Sequence, residues 1–387
     1  MSSSLTSKFQ TANVLSTSLA HFFHDIYTSF LAPVLPLLID KLGISLFQAG
    51  TLSVFQRIPT IFNPLIGILA ERVHSRYFII FSPAVTGIFM SMIGIAPSYI
   101  FLVIIMMVSG LSSAFFHVPG PVMIKKVSGD RPGLGMSLFM VGGELARTAG
   151  PLVILGAVSL WGLEGSWKLM PLGIVASIVL FFRLKDIEIR QDFSKDKTRP
   201  NYLKIFKKYI PLFISVTGFT FFFGAIKSSL TLYLPTFIKF EGYSLWFAGA
   251  SLAILQGAGV AGTLLAGPLA DRIGNRVLLR AVSIMTPLLM LLFTQVNAFW
   301  GIPVLVILGI VLFAPSPIIL AVVNNSKTRH LTFINGLYFT INFLLNAVMV
   351  MIMGKIADAI GLDLAYLISV IIGMAAIPFI WSLKEDN

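Results

Sequence analysis

The sequence predicts an all-α membrane protein whose twelve transmembrane helices form two six-helix halves. Apolar stretches of about 20 residues recur along the chain, and each is long enough to cross the hydrocarbon core of a bilayer. Hydrophobic residues make up 56% of the chain and charged residues 11%, a balance far from that of a soluble domain. A short polar motif recurs 200 residues later, which indicates that the second half repeats the first.

The expected spans are separated by short polar turns. They lie at residues 12–38, 46–70, 77–97, 99–122, 133–157, 166–184, 209–234, 246–269, 277–297, 299–323, 331–353 and 363–383. Because the longest polar stretch is 183–208, we expect an N-terminal half at 1–184, a cytoplasmic linker at 185–208 and a C-terminal half at 209–387. The start of the chain lacks the charged region and cleavage site of a signal peptide, so we expect the first span to be retained.

The basic residues that give the chain its net charge of +12 are unevenly distributed along it. They are concentrated in alternate loops, around residues 72–76, 125–131, 183–208, 272–280 and 327–329. By the positive-inside rule these loops face the cytoplasm, so both termini are cytoplasmic and the number of spans is even. We therefore expect a multi-pass protein of the inner (plasma) membrane and no nucleic-acid partner. The absence of cysteine excludes disulfides and thiolate-bound metals.

The repeated motif reads GILAERVHSR at Gly67–Arg76 and GPLADRIGNR at Gly267–Arg276. Since six spans separate the two copies, the halves share one orientation and are related by an axis along the membrane normal. Each acidic residue of the motif lies at a helix C-terminus, where the helix dipole disfavours a negative charge. Either each acid has a partner on a neighbouring helix and helps to gate the cytoplasmic side, or the motif is a solvated turn. The candidate gating residues are Gly67, Glu71, Arg72, Arg76, Gly267, Asp271, Arg272 and Arg276.

The second copy matches the pattern G-x-L-a-D-R-x-G-R-[RK] at most positions, and the first copy departs from it at Glu71, His74 and Ser75. With its two six-span halves, the chain resembles the major facilitator superfamily of secondary transporters over its whole length. The resemblance implies transport by alternating access, and it implies that spans 3, 6, 9 and 12 face lipid.

Ionisable residues inside the spans are the first functional candidates, because a charge at the bilayer centre is expensive. They avoid the spans that the resemblance assigns to lipid, apart from Arg280 near one end of span 9. The candidates are His21, His24, Asp25, Arg57, His117, Glu144, Arg147 and Lys227.

A closer resemblance is to the fosmidomycin-resistance branch of this superfamily. The first span matches S-L-x-H-x-x-x-D at Ser18, Leu19, His21 and Asp25. Further matches to the branch occur in the fourth and fifth spans, at Ser112, Ser113, Phe116, His117, Ser137, Phe139, Val141, Gly142, Gly143, Gly150 and Pro151. The resemblance implies export of a small anionic compound or drug.

Proton coupling is assigned to Asp25, His21, Glu144 and His117. His21 and Asp25 are four residues apart on one helix face, so a proton can be held between them. The alternative is a static hydrogen bond between two buried groups, and His117 is equally open to a structural reading. Glu144 is three residues from Arg147, and this pair either stays closed or opens when a proton or an anion arrives.

Substrate contact is assigned to Arg57, Arg147, Lys227, His24, Asn342 and Asn346. With histidines uncounted, the embedded charges sum to about one positive, which favours an anionic substrate that Arg can grip with two hydrogen bonds. Lys227 has an alternative, since it lies late in its span and its side chain could extend to the interface.

We expect a proton-coupled exporter working by H⁺ antiport, with proton-coupled uptake of an organic anion as the alternative. The chain lacks H-E-x-x-H, G-x-S-x-G and Walker motifs, so we expect neither an enzyme nor an ATP-driven pump. We expect no cofactor beyond the proton gradient, no metal and a monomer in the bilayer. Gly257, Gly259 and Gly262 spell G-x-G-x-x-G inside a span, where helix packing explains them better than nucleotide binding.

Overall fold

A computed structural model describes residues 8–63, 65–66, 69, 75–185, 187, 202–324 and 331–382. Within these ranges the chain is helical and contains no strand, which confirms the all-α prediction. Eleven helices in the described part are long and apolar enough to cross a membrane. The remaining expected span, 46–70, begins as the helix Leu46–Arg57 and continues as the 3₁₀ turn Ile58–Phe62, beyond which half of its residues lie outside the described ranges.

The α-helices are numbered here in chain order. Their bounds are α1 Thr11–Thr28, α2 Leu31–Leu42, α3 Leu46–Arg57, α4 Arg76–Ser91, α5 Tyr99–His117, α6 Gly120–Val127, α7 Pro132–Trp161, α8 Met170–Leu184, α9 Tyr202–Ser228, α10 Leu234–Phe240, α11 Leu245–Ile273, α12 Asn275–Gln295, α13 Gly301–Phe313, α14 Pro315–Asn324, α15 Leu331–Ile360, α16 Leu362–Met374 and α17 Ile377–Trp381. Ser98 and Ser244 begin α5 and α11 as N-caps, each accepting a hydrogen bond from a backbone N–H three residues later.

Contacts divide the chain into two compact units. Unit 1 comprises Met1–Leu31 and Ile58–Asp196, and unit 2 comprises Ala32–Arg57 and Lys197–Asn387. The second part of span 1 and the first part of span 2 therefore pack with the C-terminal helices. The predicted half boundaries at 184 and 209 stay a prediction.

Unit 1 is built around the contact of α1 with α7, which depends on glycine. A Cβ at Gly142 would collide with the Ser18 carbonyl oxygen, and one at Gly150 would collide with the Ser29 hydroxyl. Because larger residues could not be accommodated without movement, these glycines let two helix backbones approach closely.

Unit 2 contains a comparable contact between α3 and α15. A Cβ at Gly50 would lie 2.8 Å from the Met351 Cα, and one at Gly354 would collide with the Leu46 carbonyl oxygen. The Tyr233 hydroxyl lies between the two helices, 2.9 Å from the Leu46 carbonyl oxygen and 3.0 Å from the Val350 carbonyl oxygen. A phenol has one proton to donate, so it bonds to one of these carbonyls at a time.

Candidate functional site

Asp25 is the centre of a buried ionisable cluster in unit 1. Its carboxylate oxygen Oδ2 lies 3.3 Å from His21 Nε2, and its other oxygen Oδ1 lies 3.3 Å from His117 Nε2. His24 Nε2 is 4.0 Å from Oδ1. Three imidazoles thus surround one carboxylate, two of them from α1 and one from the end of α5. The helical spacing explains only the His21 contact, because His117 is brought in by packing of α5.

The helix α7 adds an arginine and a glutamate to the cluster. Arg147 Nη1 donates to Glu144 Oε1 at 2.7 Å, as its spacing predicted, and Arg147 Nη2 donates to Asp25 Oδ2 at 3.4 Å. Gly143 makes this approach possible, since a Cβ there would lie 2.5 Å from His21 Nε2 and 3.2 Å from Asp25 Oδ2. The ion pair that the sequence indicated is therefore one part of a larger network.

Two aromatic rings cover the imidazoles. His21 stacks on Phe139 with 4.2 Å between ring centroids, and His24 stacks on Phe116 at 4.7 Å. By contrast, the side chains of His117 and Arg147 are 40% and 39% exposed. The cluster is therefore closed by aromatic side chains on one side and reached through His117 and Arg147 on the other.

Hydroxyl groups and one carbonyl fix the far sides of the two α1 imidazoles. His21 Nδ1 lies 2.7 Å from the Phe139 carbonyl oxygen. His24 Nδ1 lies 3.1 Å from Thr86 Oγ1, which in turn is 2.8 Å from Ser112 Oγ. Sequence reasoning missed Thr86 altogether, since a hydroxyl inside an apolar helix carries no distinctive signal.

The same cluster offers three ligand atoms to a cation. One atom each from His21, Asp25 and His117 lie within 4.8 Å of one another. The Arg147 guanidinium, 3.4 Å from the same carboxylate, places a positive charge beside that position and opposes a divalent ion. With neutral imidazoles the charges of Asp25, Glu144 and Arg147 sum to one negative, which a single proton would neutralise.

A second candidate site is a small cavity inside unit 2 that is partly open to solvent. Among the described residues that line it, Lys227 is the one that carries a charge. The lining residues are Phe219, Thr220, Phe223, Lys227, Leu312, Pro315, Ser316, Ile319, Tyr338, Asn342 and Asn346. Two of the predicted substrate residues, Asn342 and Asn346, thus share a cavity with Lys227.

The polar residues of this cavity are linked along one face of α15. Asn346 Nδ2 donates to the Asn342 carbonyl oxygen at 2.8 Å, and Asn342 Nδ2 donates to the Tyr338 hydroxyl at 3.2 Å. The Lys227 ammonium lies 4.9 Å from the centroid of the Phe313 ring. The half-buried Lys227 therefore lies beside aromatic and amide groups.

The remaining predicted substrate residues lie in different surroundings. Arg57 is exposed at the end of α3 in unit 2, with its guanidinium carbon 5.1 Å from the centroid of the Phe343 ring. Arg147 belongs to the cluster of unit 1. His24 has no exposed surface, so it offers nothing to a substrate in this conformation.

The predicted gate is only partly described. Gly67, Glu71 and Arg72 lie outside the described residues. Arg76 Nη1 donates to the Ile187 carbonyl oxygen at 3.3 Å, which ties the start of α4 to the residues after α8. The second copy of the motif crosses from α11 to α12, with residues Gly267, Asp271, Arg272 and Arg276. Gating by both copies stays a prediction.

The structure adds one acidic residue to the predicted set. Asp358, in the last turn of α15, accepts hydrogen bonds from the backbone N–H groups of Leu46 at 2.7 Å and Phe47 at 2.8 Å. A carboxylate at a helix C-terminus is thereby balanced by the N-terminus of α3. The helix-dipole argument predicts a partner of this kind for the acidic residues of the repeated motif. In the sequence, Asp358 likewise lies near the end of a helix, shortly before Gly361.

Comparison with known proteins identifies relatives over most of the chain. The family model described as Major Facilitator Superfamily matches residues 17–350. The chain is 23% identical over 357 residues to the fosmidomycin resistance protein of Escherichia coli (strain K12), covering 90% of this chain and 87% of that protein. It is 24% identical over 309 residues to the multidrug resistance protein MdtG of Enterobacter lignolyticus (strain SCF1), covering 76% of this chain and 72% of the relative.

Solved structures match the fold. A bacterial homolog to the human lysosomal transporter Spinster, in an inward-facing and occupied conformation, superposes with a TM-score of 0.79 at 15% identity over 96% of each chain. The nucleoside transporter NupG superposes with a TM-score of 0.75 at 16% identity, covering 97% of this chain and 100% of that one. At these identities the likeness concerns the fold alone.

Proposed function

The chain belongs to the Major Facilitator Superfamily, and from that premise we propose that it exports a small anionic compound in exchange for protons. It is a multi-pass membrane transporter and not an enzyme. The proposal adds proton coupling, antiport, an anionic substrate, cytoplasmic termini and a monomeric state. The names of relatives as resistance proteins support export.

The observation that carries the proposal is the Asp25 cluster. A buried carboxylate faces three imidazoles and a guanidinium, with two of these groups partly exposed. Histidine and carboxylate are the side chains that carry protons through membrane transporters. With neutral imidazoles the network of Asp25, Glu144 and Arg147 holds one negative charge in excess, and an unbalanced buried charge is costly. Binding one proton makes this network neutral and removes that cost. The net charge of the network therefore differs between the proton-bound and the proton-free state.

The anion is assigned to the cavity of unit 2. Arg147 already makes two bonds to carboxylates, at 2.7 Å and 3.4 Å, so an anionic substrate would have to displace one of them. Lys227 lines the cavity together with the amides of Asn342 and Asn346. Phe219 and Phe223 stack at 4.9 Å and provide an apolar wall. In this proposal the charged end of an organic anion binds at Lys227 and the amides of α15, and its apolar body lies against the phenylalanine rings.

Proton-coupled uptake is the second candidate, and one contact favours it. Asp25 holds Arg147 at 3.4 Å, so a proton on Asp25 would weaken this ion pair and release the guanidinium to an anion. In that case proton and anion would bind together, as a symporter requires. The two candidates differ in the direction of proton movement relative to the substrate.

The test is cellular accumulation of fosmidomycin in an efflux-deficient bacterium. We expect less accumulation in cells that express the wild type than in empty cells, and no difference for Asp25→Asn or after collapse of the proton gradient. Asp40→Asn, the same change at an exposed position near the end of α2, is the control and should act as the wild type. Higher accumulation with the wild type would favour uptake, and equal accumulation would exclude fosmidomycin as substrate.

A further inference from the structure

We infer that neighbouring groups hold His21 and His24 as Nδ1–H tautomers, so that both Nε2 atoms face Asp25 as acceptors. Thr86 and Ser112 are then positioning residues for the cluster. In this conformation the transported proton lies between His21 Nε2 and Asp25 Oδ2. This last step rests on the proposed function, whereas the two tautomers do not.

The tautomer of His21 follows from its partner. Its Nδ1 lies 2.7 Å from the carbonyl oxygen of Phe139, a group that can only accept. Nδ1 therefore carries the hydrogen. In the neutral ring Nε2 is left with a lone pair, and it lies 3.3 Å from Asp25 Oδ2.

The tautomer of His24 follows from a chain of hydroxyl groups that ends at a carbonyl. Ser112 Oγ donates its one hydrogen to the Ser82 carbonyl oxygen at 3.2 Å, so it accepts from Thr86 Oγ1 at 2.8 Å. Thr86 has then used its own hydrogen and accepts at 3.1 Å from His24 Nδ1. His24 Nε2 therefore also carries a lone pair when the ring is neutral.

These tautomers determine where a proton can be bound. A neutral His21 opposite an ionised Asp25 would set two acceptors against each other at 3.3 Å. A proton between them turns this repulsion into a charge-assisted hydrogen bond. The other groups facing the carboxylate are His117 Nε2 at 3.3 Å, His24 Nε2 at 4.0 Å and Arg147 Nη2 at 3.4 Å, the last paired with Glu144.

The same geometry indicates that His117 differs in its role from His21 and His24. It shares the carboxylate through Oδ1, and its side chain is 40% exposed. Since His21 and His24 are buried and fixed at Nδ1, His117 is the imidazole through which the proton would reach the pair from outside the cluster.

The experiment is ¹⁵N NMR of the full chain labelled at histidine and held in lipid nanodiscs, because nitrogen shifts distinguish the two neutral tautomers and the cation. The chain has five histidines, so His24→Asn and His21→Asn suffice to assign the two signals. In the wild type we expect a protonated Nδ1 at both residues. In Thr86→Val and in Ser112→Ala the His24 tautomer ratio should shift toward Nε2–H by about tenfold, the equivalent of one hydrogen bond.

Thr286→Val is the matched control. It makes the same change at a buried threonine 200 residues later in the repeat, whose hydroxyl has no hydrogen-bond partner among the described residues. It should leave the His24 signal and the pH profile of transport unaltered, whereas Thr86→Val and Ser112→Ala should move both.

A wild-type signal showing neutral Nε2–H at His21 or His24 would overturn the inference. An unchanged His24 tautomer in both Thr86→Val and Ser112→Ala would also overturn it. If Thr86→Val does not fold, Ser112→Ala alone provides the test. Because the nitrogen shifts do not depend on transport, they remain readable if proton coupling itself proves wrong. If His21 and His24 show the expected Nδ1–H tautomers but transport does not depend on protons, the placement of the transported proton between His21 and Asp25 is wrong. The positioning roles of Thr86 and Ser112 would then still stand.

Discussion

The two units are both helical and differ in what their helices bury. About 200 residues after His21 and Asp25, unit 2 has the uncharged stretch Thr220–Ala225. Within the described part of unit 2, none of the buried polar residues is Asp, Glu, His, Lys or Arg. Unit 1 instead buries Asp25, His21 and His24 together. Among the described residues, a buried ionisable cluster is therefore found in unit 1 and not in unit 2.

In unit 2, the charged side chain of Lys227 lies at the wall of a cavity. Lys227 is half-buried among aromatic and amide side chains, whereas the residue 200 positions earlier, in unit 1, is the uncharged Tyr27. Tyr27 is buried and donates to the Leu169 carbonyl oxygen at 2.8 Å, so its hydroxyl serves the packing of unit 1. This difference between the units is the basis for the division of work that we propose, with proton binding in unit 1 and anion binding in unit 2.

Asp25→Asn tests the division most strongly. The amide cannot take up and release a proton, so transport driven by a proton gradient should fall about 100-fold or more, in line with roughly 3 kcal/mol for breaking a buried ion pair. Substrate exchange without a gradient should continue, because the proposed anion site is in unit 2. Both rates are measured in proteoliposomes. Abolished exchange would mean that Asp25 also serves substrate binding or folding.

Gly143→Ala tests whether the cluster depends on the close approach of α7. The added methyl group would press on the His21 ring, and overpacking of this kind costs about 1–3 kcal/mol. We expect a lower midpoint of thermal unfolding and weaker proton-driven transport. Gly156→Ala on the same helix meets nothing within 4 Å, so it should leave both unchanged or raise stability slightly. Equal effects of the two changes would contradict the packing account.

Lys227→Met tests the other side of the comparison. It keeps most of the side-chain volume and removes the charge, so the affinity for fosmidomycin should fall about tenfold, as for a lost hydrogen bond to a charged group. The proton requirement of the remaining transport should not change. Lys239→Met, at the end of α10, is the control, and binding is measured by titration calorimetry. Unaltered affinity in Lys227→Met would place the anion elsewhere.

Asp358→Asn should have the smallest effect. The side chain is exposed, so the loss of its charge at the start of α3 should cost roughly 0.5–1 kcal/mol. We expect a fall of about 1–3 °C in the unfolding midpoint in detergent, against little change for Asp40→Asn. A fall of equal size in both variants would show that the contact with Leu46 and Phe47 contributes nothing specific.

The sequence was sufficient for the fold and for contacts within one helix. The number and position of apolar stretches predict the helices, since each must span a bilayer. Spacing of three or four residues predicted the pairs His21–Asp25 and Glu144–Arg147 correctly as neighbours.

Contacts between helices could not be predicted in the same way. Thr86 reaches His24 only because α4 packs on α1 with one particular rotation, which spacing along either helix does not determine. Arg147 was expected near a substrate, and packing of α7 places it on Asp25. Asp358 was overlooked because its partner, the start of α3, is more than 300 residues away in the chain.

The most direct test of the central claim is proton movement that accompanies fosmidomycin transport, followed with a pH-sensitive dye in proteoliposomes. For the wild type we predict protons moving opposite to the substrate. Lys227→Met should need about tenfold more substrate for the same proton signal, and Asp25→Asn should give substrate exchange with no proton signal. A proton signal that persists in Asp25→Asn would contradict the assignment of the proton to unit 1.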